Sequence, residues 1–138
     1  MNMNRLLIAL AAFLLLSSCA SNSNPVNEMS AAELIQRGQE AMDKNRYSAA
    51  TQYYKALHDN HKSNIDLVIT AEYHIGFIHY KQGKFDQARS ELNAVLEYYN
   101  SPDEELYPQH FKKLSQIVLN SIDEKEKSHS LFKRKFNR

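Results

Sequence analysis

The apolar residues of this chain form one continuous run near the N-terminus and several periodic segments after it. Leu6 to Leu16 are apolar without interruption. From residue 31 onward, apolar residues return every three or four positions, which is the spacing of a helix with one buried face. This pattern predicts five helices. Their approximate spans are 31–44, 47–60, 64–82, 85–99 and 102–127.

Two short motifs predict where helices begin. Ser30 stands three residues before Glu33, which is the spacing of a capping box. Ser101 is followed by Pro102 and two acidic residues, so a capping side chain, a proline in the first turn and early acids occur together. We therefore expect helices to start at Ala31 and at Pro102, and we expect an all-α fold.

The chain contains an internal repeat with a period of 38 residues. Gly38 and Gly76 lie at the same place in two successive helices, and matching residues follow both of them. The matching pairs are Gly38 and Gly76, Tyr47 and Phe85, Ala50 and Ala88, Tyr54 and Leu92, and Leu57 and Val95. A glycine opposite an alanine lets two antiparallel helices approach closely. The repeat therefore predicts two helical hairpins.

Residues 75–88 resemble the tetratricopeptide repeat, because they combine its glycine, turn glycine, aromatic residue and alanine. The segment that begins at Gly38 is a looser copy with asparagine at the turn. The resemblance implies a short helical solenoid of two helix-turn-helix repeats, followed by a capping helix. Repeat proteins of this kind are stabilised by contacts between neighbouring units, and about three units are usual. A partner or a homodimer could supply part of the missing stabilisation.

The resemblance also implies a binding surface. In the family, the first helix of each repeat lines a concave groove. The expected partner-binding residues are Ile35, Gln39, Met42, Tyr73, Phe77, Tyr80 and Lys81. The helix predicted over 64–82 is apolar on two faces. The face with Tyr73 and Phe77 could bind a segment of another envelope protein, or it could pack against the fifth helix.

The N-terminus resembles that of a bacterial lipoprotein. The apolar run after Arg5 is too short to cross a bilayer, which takes about 20 residues, but it fits a cleaved secretion signal over residues 1–18. Leu16-Ser17-Ser18-Cys19 matches the lipobox, so the resemblance implies lipid on Cys19 and an acylated new N-terminus. The alternative is an ordinary cleavage site with an incidental cysteine.

These features predict four segments: a signal peptide over 1–18, a lipidated cysteine and polar tether over 19–30, a repeat domain over 31–124, and a basic tail over 125–138. The tail has two interpretations. Its cations could contact anionic lipid or an acidic partner, or they could simply stabilise a helix C-terminus while remaining solvated.

Composition argues for binding rather than catalysis. Without Arg5, the 17 basic residues of the chain fall to 16 and match the 16 acidic ones, so no attraction to nucleic acid is expected. Cys19 is the only cysteine, which leaves none for a disulfide. His58 and His61 share a helical face without an accompanying carboxylate motif, and His79 is expected to be a hydrogen-bonded core residue. We expect no catalytic residue, metal or cofactor.

Among lipid-anchored repeat proteins, the chain resembles a shortened BamD-type subunit of the outer-membrane β-barrel assembly machinery. The resemblance rests on the lipobox, the tether, the long repeats, and Tyr98-Tyr99 ahead of Pro102. It implies a scaffold on the periplasmic side of the outer membrane, or on the extracellular face if the organism has one membrane. The alternative is a cell-wall-associated accessory lipoprotein that binds peptidoglycan or an envelope enzyme.

Overall fold

A computed structural model describes residues 25–136, and this part of the chain is all-α. Its α-helices are α1 (Ala31–Asp43), α2 (Tyr47–Asn60), α3 (Ile65–Lys81), α4 (Phe85–Tyr98) and α5 (Gln109–Phe136). Two single-turn 3-10 helices, Val26–Glu28 and Glu104–Leu106, precede α1 and α5. The first four helices follow the predicted spans to within one residue at each end, because their apolar periodicity is regular.

Side-chain caps hold the starts of α1 and α3. The Ser30 hydroxyl accepts a hydrogen bond from the backbone N–H of Glu33 at 3.3 Å. The Asn64 side chain accepts one from the backbone N–H of Leu67, also at 3.3 Å. Each cap satisfies a backbone donor that has no partner within the helix. The predicted start of the first helix is confirmed.

The 38-residue repeat is also present in the backbone. The α1–α2 and α3–α4 turns each contain one residue with a positive φ angle, Asn45 at 53° and Gly83 at 73°. In both turns the next residue donates its backbone N–H to the carbonyl five positions back, at 2.7 and 2.9 Å. Glycine and asparagine are the residues that adopt this left-handed conformation most easily. The two hairpins therefore close in the same way.

A glycine in the first helix of each hairpin faces a large side chain of the second helix. A Cβ added to Gly38 would lie 2.7 Å from Cζ of Tyr54. A Cβ added to Gly76 would lie 3.1 Å from Leu92. Both helix pairs therefore pack at distances that leave little or no room for a methyl group. The predicted close approach is present, but Tyr54 and Leu92, rather than the predicted alanines, face the two glycines.

The buried residues form two hydrophobic cores, and α3 contributes to both. The first core lies mainly between α1 and α2, with Leu34, Tyr54 and Leu57 fully buried. The second core lies between α3, α4 and α5. Its buried residues are Ile69, Tyr73, Ala88, Leu92, Val95, Tyr99, Phe111, Val118 and Ile122. Because α3 supplies Ala71 and Ile78 to the first core as well, it joins the two.

The prediction that the fifth helix begins at Pro102 is wrong. Residues 104–106 form only one 3-10 turn, Tyr107 is extended, and α5 begins at Gln109. The cause is Pro108, since the residue before a proline is disfavoured in the helical region. Proline is favourable just ahead of the new helix, and its carbonyl accepts the Phe111 N–H at 3.1 Å.

Helix α5 extends to Phe136, beyond its predicted end at 127, so most of the predicted basic tail continues this helix. Ile122 is its last buried residue, and residues 123–135 are all exposed. Near the end of the packed part, Arg89 of α4 donates to Asp123 at 2.7 Å and to Glu126 at 2.8 Å. Because residues 123–135 are exposed, this part of α5 adds little buried surface to the two cores.

Candidate functional site

The described residues form a cleft of about 770 Å³. One side is formed by α1, the opposite side by α3, and one end by the first turn and a half of α5 with Pro108 before it. Its lining residues are Ile35, Gln39, Met42, Asp43, Asn45, Tyr54, Thr70, Tyr73, His74, Phe77, Lys81, Pro108, His110, Phe111 and Leu114. In α1 and α3, these are side chains at helical spacing that the hairpins bring together.

Six of the seven predicted groove residues line this cleft, namely Ile35, Gln39, Met42, Tyr73, Phe77 and Lys81. Tyr80 does not. Its ring lies 6.1 Å from that of Phe85, and the Lys125 ammonium lies 4.9 Å from its centre. Tyr80 points toward α4 and α5 because it stands one residue before Lys81, about 100° around the helix.

One end of the cleft is aromatic. The Tyr73 ring lies 4.9 Å from that of Phe111 and 6.1 Å from that of Phe77. Tyr73 is buried, whereas Phe77 is half-buried. The second apolar face of α3 is therefore partly covered by α5 and partly open. Of the two alternatives left by the sequence, packing against the fifth helix applies to Tyr73, and Phe77 remains accessible from the cleft.

The floor of the cleft is a stack of Tyr54 on His74. Their ring centres are 4.4 Å apart and the planes are inclined by 10°. Burial lowers the pKa of His74 to about 4, and the nearby His110 adds to the effect. Burial, with a smaller contribution from Asp43, raises the pKa of Tyr54 well above its ordinary value. Both rings are therefore neutral at pH 7.

The Tyr54 hydroxyl is buried and has no hydrogen-bond partner among the described residues. Asp43 is the only carboxylate and Lys81 the only ammonium group among the lining residues. The remaining polar side chains are two amides, three hydroxyls and the imidazoles of His74 and His110. A site with one acid and one base offers little to a strongly acidic ligand. It suits a neutral segment with an apolar side chain and a few hydrogen-bonding groups.

Sequence reasoning did not assign Tyr54, His74 and Phe111 to the site. The repeat relates Tyr54 to Leu92, and Phe111 falls within the predicted fifth helix. His74 directly follows the predicted groove residue Tyr73 in α3, and this adjacency could have indicated that His74 also lies near the groove. The stack itself was not predictable, because it joins residues of two helices separated by 20 positions.

Two histidine–carboxylate pairs lie on α3 away from the cleft. Nδ1 of His79 lies 2.6 Å from Oε2 of Glu91, which confirms the predicted hydrogen bond, although His79 is half-buried rather than a core residue. Nε2 of His58 lies 3.5 Å from Oε1 of Glu72. The Tyr98 hydroxyl donates to the same carboxylate at 3.2 Å, and its pKa is raised to about 12 by burial and by Glu72. These contacts join α2, α3 and α4.

Other predicted features are placed as follows. Residues 25–136 contain no group of three or more histidine, cysteine or acidic side chains arranged for a metal ion. Within the same residues, none of the helices combines the length and apolarity needed to span a bilayer. The signal peptide, the lipobox and Cys19 lie outside the described residues.

The chain is similar to an uncharacterized protein of Treponema pallidum (strain Nichols), with 28% identity over 117 residues. The similarity covers 83% of this chain and 47% of the other protein, so the chain spans about half the length of that relative. No protein-family model matches the chain, and no solved structure matches it.

Proposed function

We propose that this protein is a lipid-anchored interaction scaffold of the bacterial envelope, built from two tetratricopeptide-type repeats and a capping helix. Its cleft binds a segment of an envelope protein without catalysing a reaction. The most specific version of the proposal is a component of outer-membrane protein assembly that is related to BamD-type subunits. The observation that carries the proposal is the aromatic cleft between α1, α3 and the start of α5.

The repeated hairpin supports the tetratricopeptide assignment. Both hairpins have a glycine packed against the following helix and a left-handed residue in the turn, at equivalent positions. In a solenoid of this type the first helices line the inner surface, and α1, α3 and α5 all contribute to the cleft. The cleft therefore lies where the resemblance places a binding groove.

The cleft has the general properties of a peptide site. It combines an aromatic end with a few polar groups that can fix the orientation of a ligand. Phe77 and Met42 are only half-buried, so an apolar side chain of a ligand can remove them from water. Burial of one such side chain contributes about 1.5–3 kcal/mol. Anchoring at a membrane would raise the local concentration of a partner and strengthen a small interface.

A photo-crosslinking experiment tests the binding site. A photoreactive phenylalanine analogue replaces Phe77 in the full chain, expressed in its own cell envelope. The matched control carries the analogue at Gln87, an exposed residue of α4 outside the cleft. We expect a discrete adduct with an envelope protein from position 77 and none from position 87. Equal labelling from both positions, or none from either, would contradict the proposal.

Anchoring and the assembly role need separate tests. Replacing Cys19 with serine should release the processed protein from the membrane fraction, because no acyl chain can then be attached. If the Cys19→Ser chain remains fully membrane-bound and functional, lipid anchoring is wrong. Depletion of the protein should lower the amount of folded outer-membrane β-barrel proteins. Normal barrel levels after depletion would refute the assembly role but leave the binding proposal intact.

A further inference from the structure

The last part of α5 runs past the end of the helix that it packs on. The Lys112 ammonium lies 5.7 Å from the centre of the Tyr99 ring, at the end of α4. The Lys125 ammonium lies 5.9 Å from the ring of Phe85, the first residue of α4. The two helices are therefore antiparallel, and Lys125 is level with the start of α4. The residues after it extend about 15 Å further along the helix axis.

Charge is divided along this last part of α5. Its acidic residues all lie between positions 123 and 126, and two of them, Asp123 and Glu126, bind Arg89. Residues 127–135 contain four basic residues and no acidic one, and all of them are exposed. The projecting part of the helix therefore ends in a strongly basic segment.

Three of these cations surround an exposed leucine. Leu131 is 54% exposed. Lys127 lies four residues before it, and Arg134 and Lys135 lie three and four residues after it, which are the spacings of neighbours on a helix surface. We call these four residues the Leu131 patch. Glu124 lies on the same side of the helix, but about 10 Å away along the axis, which is roughly one Debye length at physiological salt.

The cations of the Leu131 patch are available to a partner. Elsewhere in the structure, Arg37, Arg89 and Lys112 form ion pairs at distances between 2.6 and 3.2 Å. None of the three patch cations forms an ion pair with another residue of the described part, 25–136. The helix dipole stabilises cations in the last turn, but it does not account for an exposed leucine at their centre. The patch thus combines unpaired positive charge with apolar surface.

We propose that the Leu131 patch binds the surface of a membrane that contains anionic phospholipids. The lipid phosphates neutralise the three cations, and the Leu131 side chain inserts between the headgroups. A groove on another protein is a poorer match, because a helix that docks in a groove needs apolar residues on several successive turns. Residues 123–135 contain only two large apolar residues, Leu131 and Phe132, and these are adjacent.

This membrane contact is separate from the cleft and from the lipid proposed on Cys19. Binding through three cations and one leucine is reversible and weakens with salt, whereas anchoring by acyl chains does not depend on charge. The patch therefore orients the domain on the membrane without replacing the anchor. Its failure would leave the function proposed for the cleft intact, and the reverse also holds.

Vesicle binding tests the proposal. The full chain carries Cys19→Ser, so that no acyl chain contributes, and is titrated with vesicles of phosphatidylcholine alone or with about 30% phosphatidylglycerol. At about 0.1 M salt we expect binding to the anionic vesicles to be stronger by about tenfold or more. At about 1 M salt, where the Debye length is about 3 Å, the difference should disappear. Equal binding to both kinds of vesicle at low salt would overturn the proposal.

Two variants with the same change in net charge locate the site. The patch variant carries Lys127→Gln, Arg134→Gln and Lys135→Gln. The control carries the same change at three exposed lysines elsewhere, Lys44→Gln, Lys55→Gln and Lys113→Gln. Each cation near an anionic membrane strengthens binding about fivefold, so the patch variant should bind about 100-fold more weakly and the control within about threefold of the parent. Equal losses would show that net charge, rather than the patch, is responsible.

A fluorescent label tests the insertion of Leu131. An environment-sensitive fluorophore is attached to Leu131→Cys or, as the control, to His129→Cys, both in the Cys19→Ser chain. Position 129 is exposed and lies about 160° around the helix from position 131. Anionic vesicles should shift the emission to shorter wavelength at position 131 only. Equal shifts at both positions, or none at position 131, would refute insertion through this patch.

An acidic protein is the competing occupant of the Leu131 patch. If the chain binds neither kind of vesicle but retains an acidic envelope protein that the patch variant loses, that protein is the partner and the lipid proposal is wrong. Circular dichroism of each variant checks the fold, which we expect to be unchanged because the substituted residues are exposed.

Discussion

Gly38 and Gly76 occupy equivalent positions but face neighbours of different rigidity. A methyl group at Gly38 would lie 2.7 Å from the Tyr54 ring, which is fully buried and stacked on His74. A methyl group at Gly76 would meet the Leu92 side chain at 3.1 Å. A flexible leucine side chain can move by a few tenths of an ångström, whereas the Tyr54 ring is held by its burial and by its stacking on His74. Equivalent glycines therefore differ in their tolerance of substitution.

We predict that Gly38→Ala destabilises the fold by about 1 kcal/mol or more. Overpacking costs about 1–3 kcal/mol, and the higher helix propensity of alanine returns at most about 1 kcal/mol. Gly76→Ala should be near neutral, because Leu92 can adjust. Chemical denaturation of both variants measures the difference. In a Tyr54→Leu background the cost of Gly38→Ala should largely disappear, and an unchanged cost there would exclude the ring as its cause.

His74 makes stability depend on pH in a defined direction. Burial lowers its pKa to about 4 in the folded chain, below its ordinary value of 6.5. The unfolded chain therefore binds more protons than the folded chain between those two values. The contribution of neutral His74 is fully present above pH 6.5 and is lost as the pH falls toward 4.

We predict that this linkage lowers the free energy of unfolding by about 2 kcal/mol between pH 7 and pH 5. His74→Phe keeps a ring on Tyr54 but cannot be protonated. The unsubstituted chain should therefore lose about 2 kcal/mol more than His74→Phe over this interval, measured by urea denaturation at both pH values. Equal losses in the two proteins would show that His74 does not titrate in this range.

At the scale of elements, each of the two hairpin turns contains one residue in the left-handed conformation. That residue is asparagine in the first turn and glycine in the second. Gly83 adopts this conformation without strain, and no atom lies within 4 Å of a Cβ added to it. Asn45 adopts it as well, with its side chain accepting a hydrogen bond from the Tyr47 hydroxyl at 2.8 Å. The turn geometry is therefore preserved although the residue differs between repeats.

We predict that Gly83→Ala costs about 1–2 kcal/mol, since the backbone conformation alone is penalised. Gln82→Ala is the matched control, because Gln82 is exposed and already has helical backbone angles. Thermal or chemical denaturation should leave the control within about 0.5 kcal/mol of the unsubstituted chain. A neutral Gly83→Ala variant would mean that the turn can adopt another conformation.

At the scale of the whole molecule, α3 connects two hydrophobic cores. Leu57 belongs to the first core and Leu92 to the second, and both are fully buried. Because α3 packs in both cores, disruption of either core removes a large part of the packing contacts that stabilise α3. The two hairpins are therefore expected to unfold as one cooperative unit, as is usual for neighbouring repeats in contact.

We predict that Leu57→Ala and Leu92→Ala each cost about 2–5 kcal/mol and each shift a single common transition. Circular dichroism reports helix content, and tyrosine fluorescence reports tertiary contacts because the chain has eight tyrosines and no tryptophan. The two signals should coincide in both variants. Separate transitions by the two methods would show that the cores unfold independently.

The sequence by itself determined the helices, the hairpin repeat and the close-packed glycines. These features depend on local periodicity, capping and turn chemistry, which residues a few positions apart already encode. The resemblance to the tetratricopeptide repeat predicted six of the residues that line the cleft, because in that family the first helix of each repeat lines a groove. The contact of Gly38 with Tyr54 was not predicted, because the sequence analysis placed an alanine of the second helix opposite each glycine.

Only the tertiary structure decided how the cleft is closed and what lies beneath it. The Tyr54–His74 stack and the Tyr73–Phe111 contact join helices that the sequence separates by a turn or a loop. The sequence predicted a start for α5 at Pro102, but the helix begins after Pro108, whose carbonyl accepts a hydrogen bond from the Tyr99 hydroxyl at 2.8 Å. Long-range burial, rather than local preference, therefore set the neutral state of His74 and the closed end of the cleft.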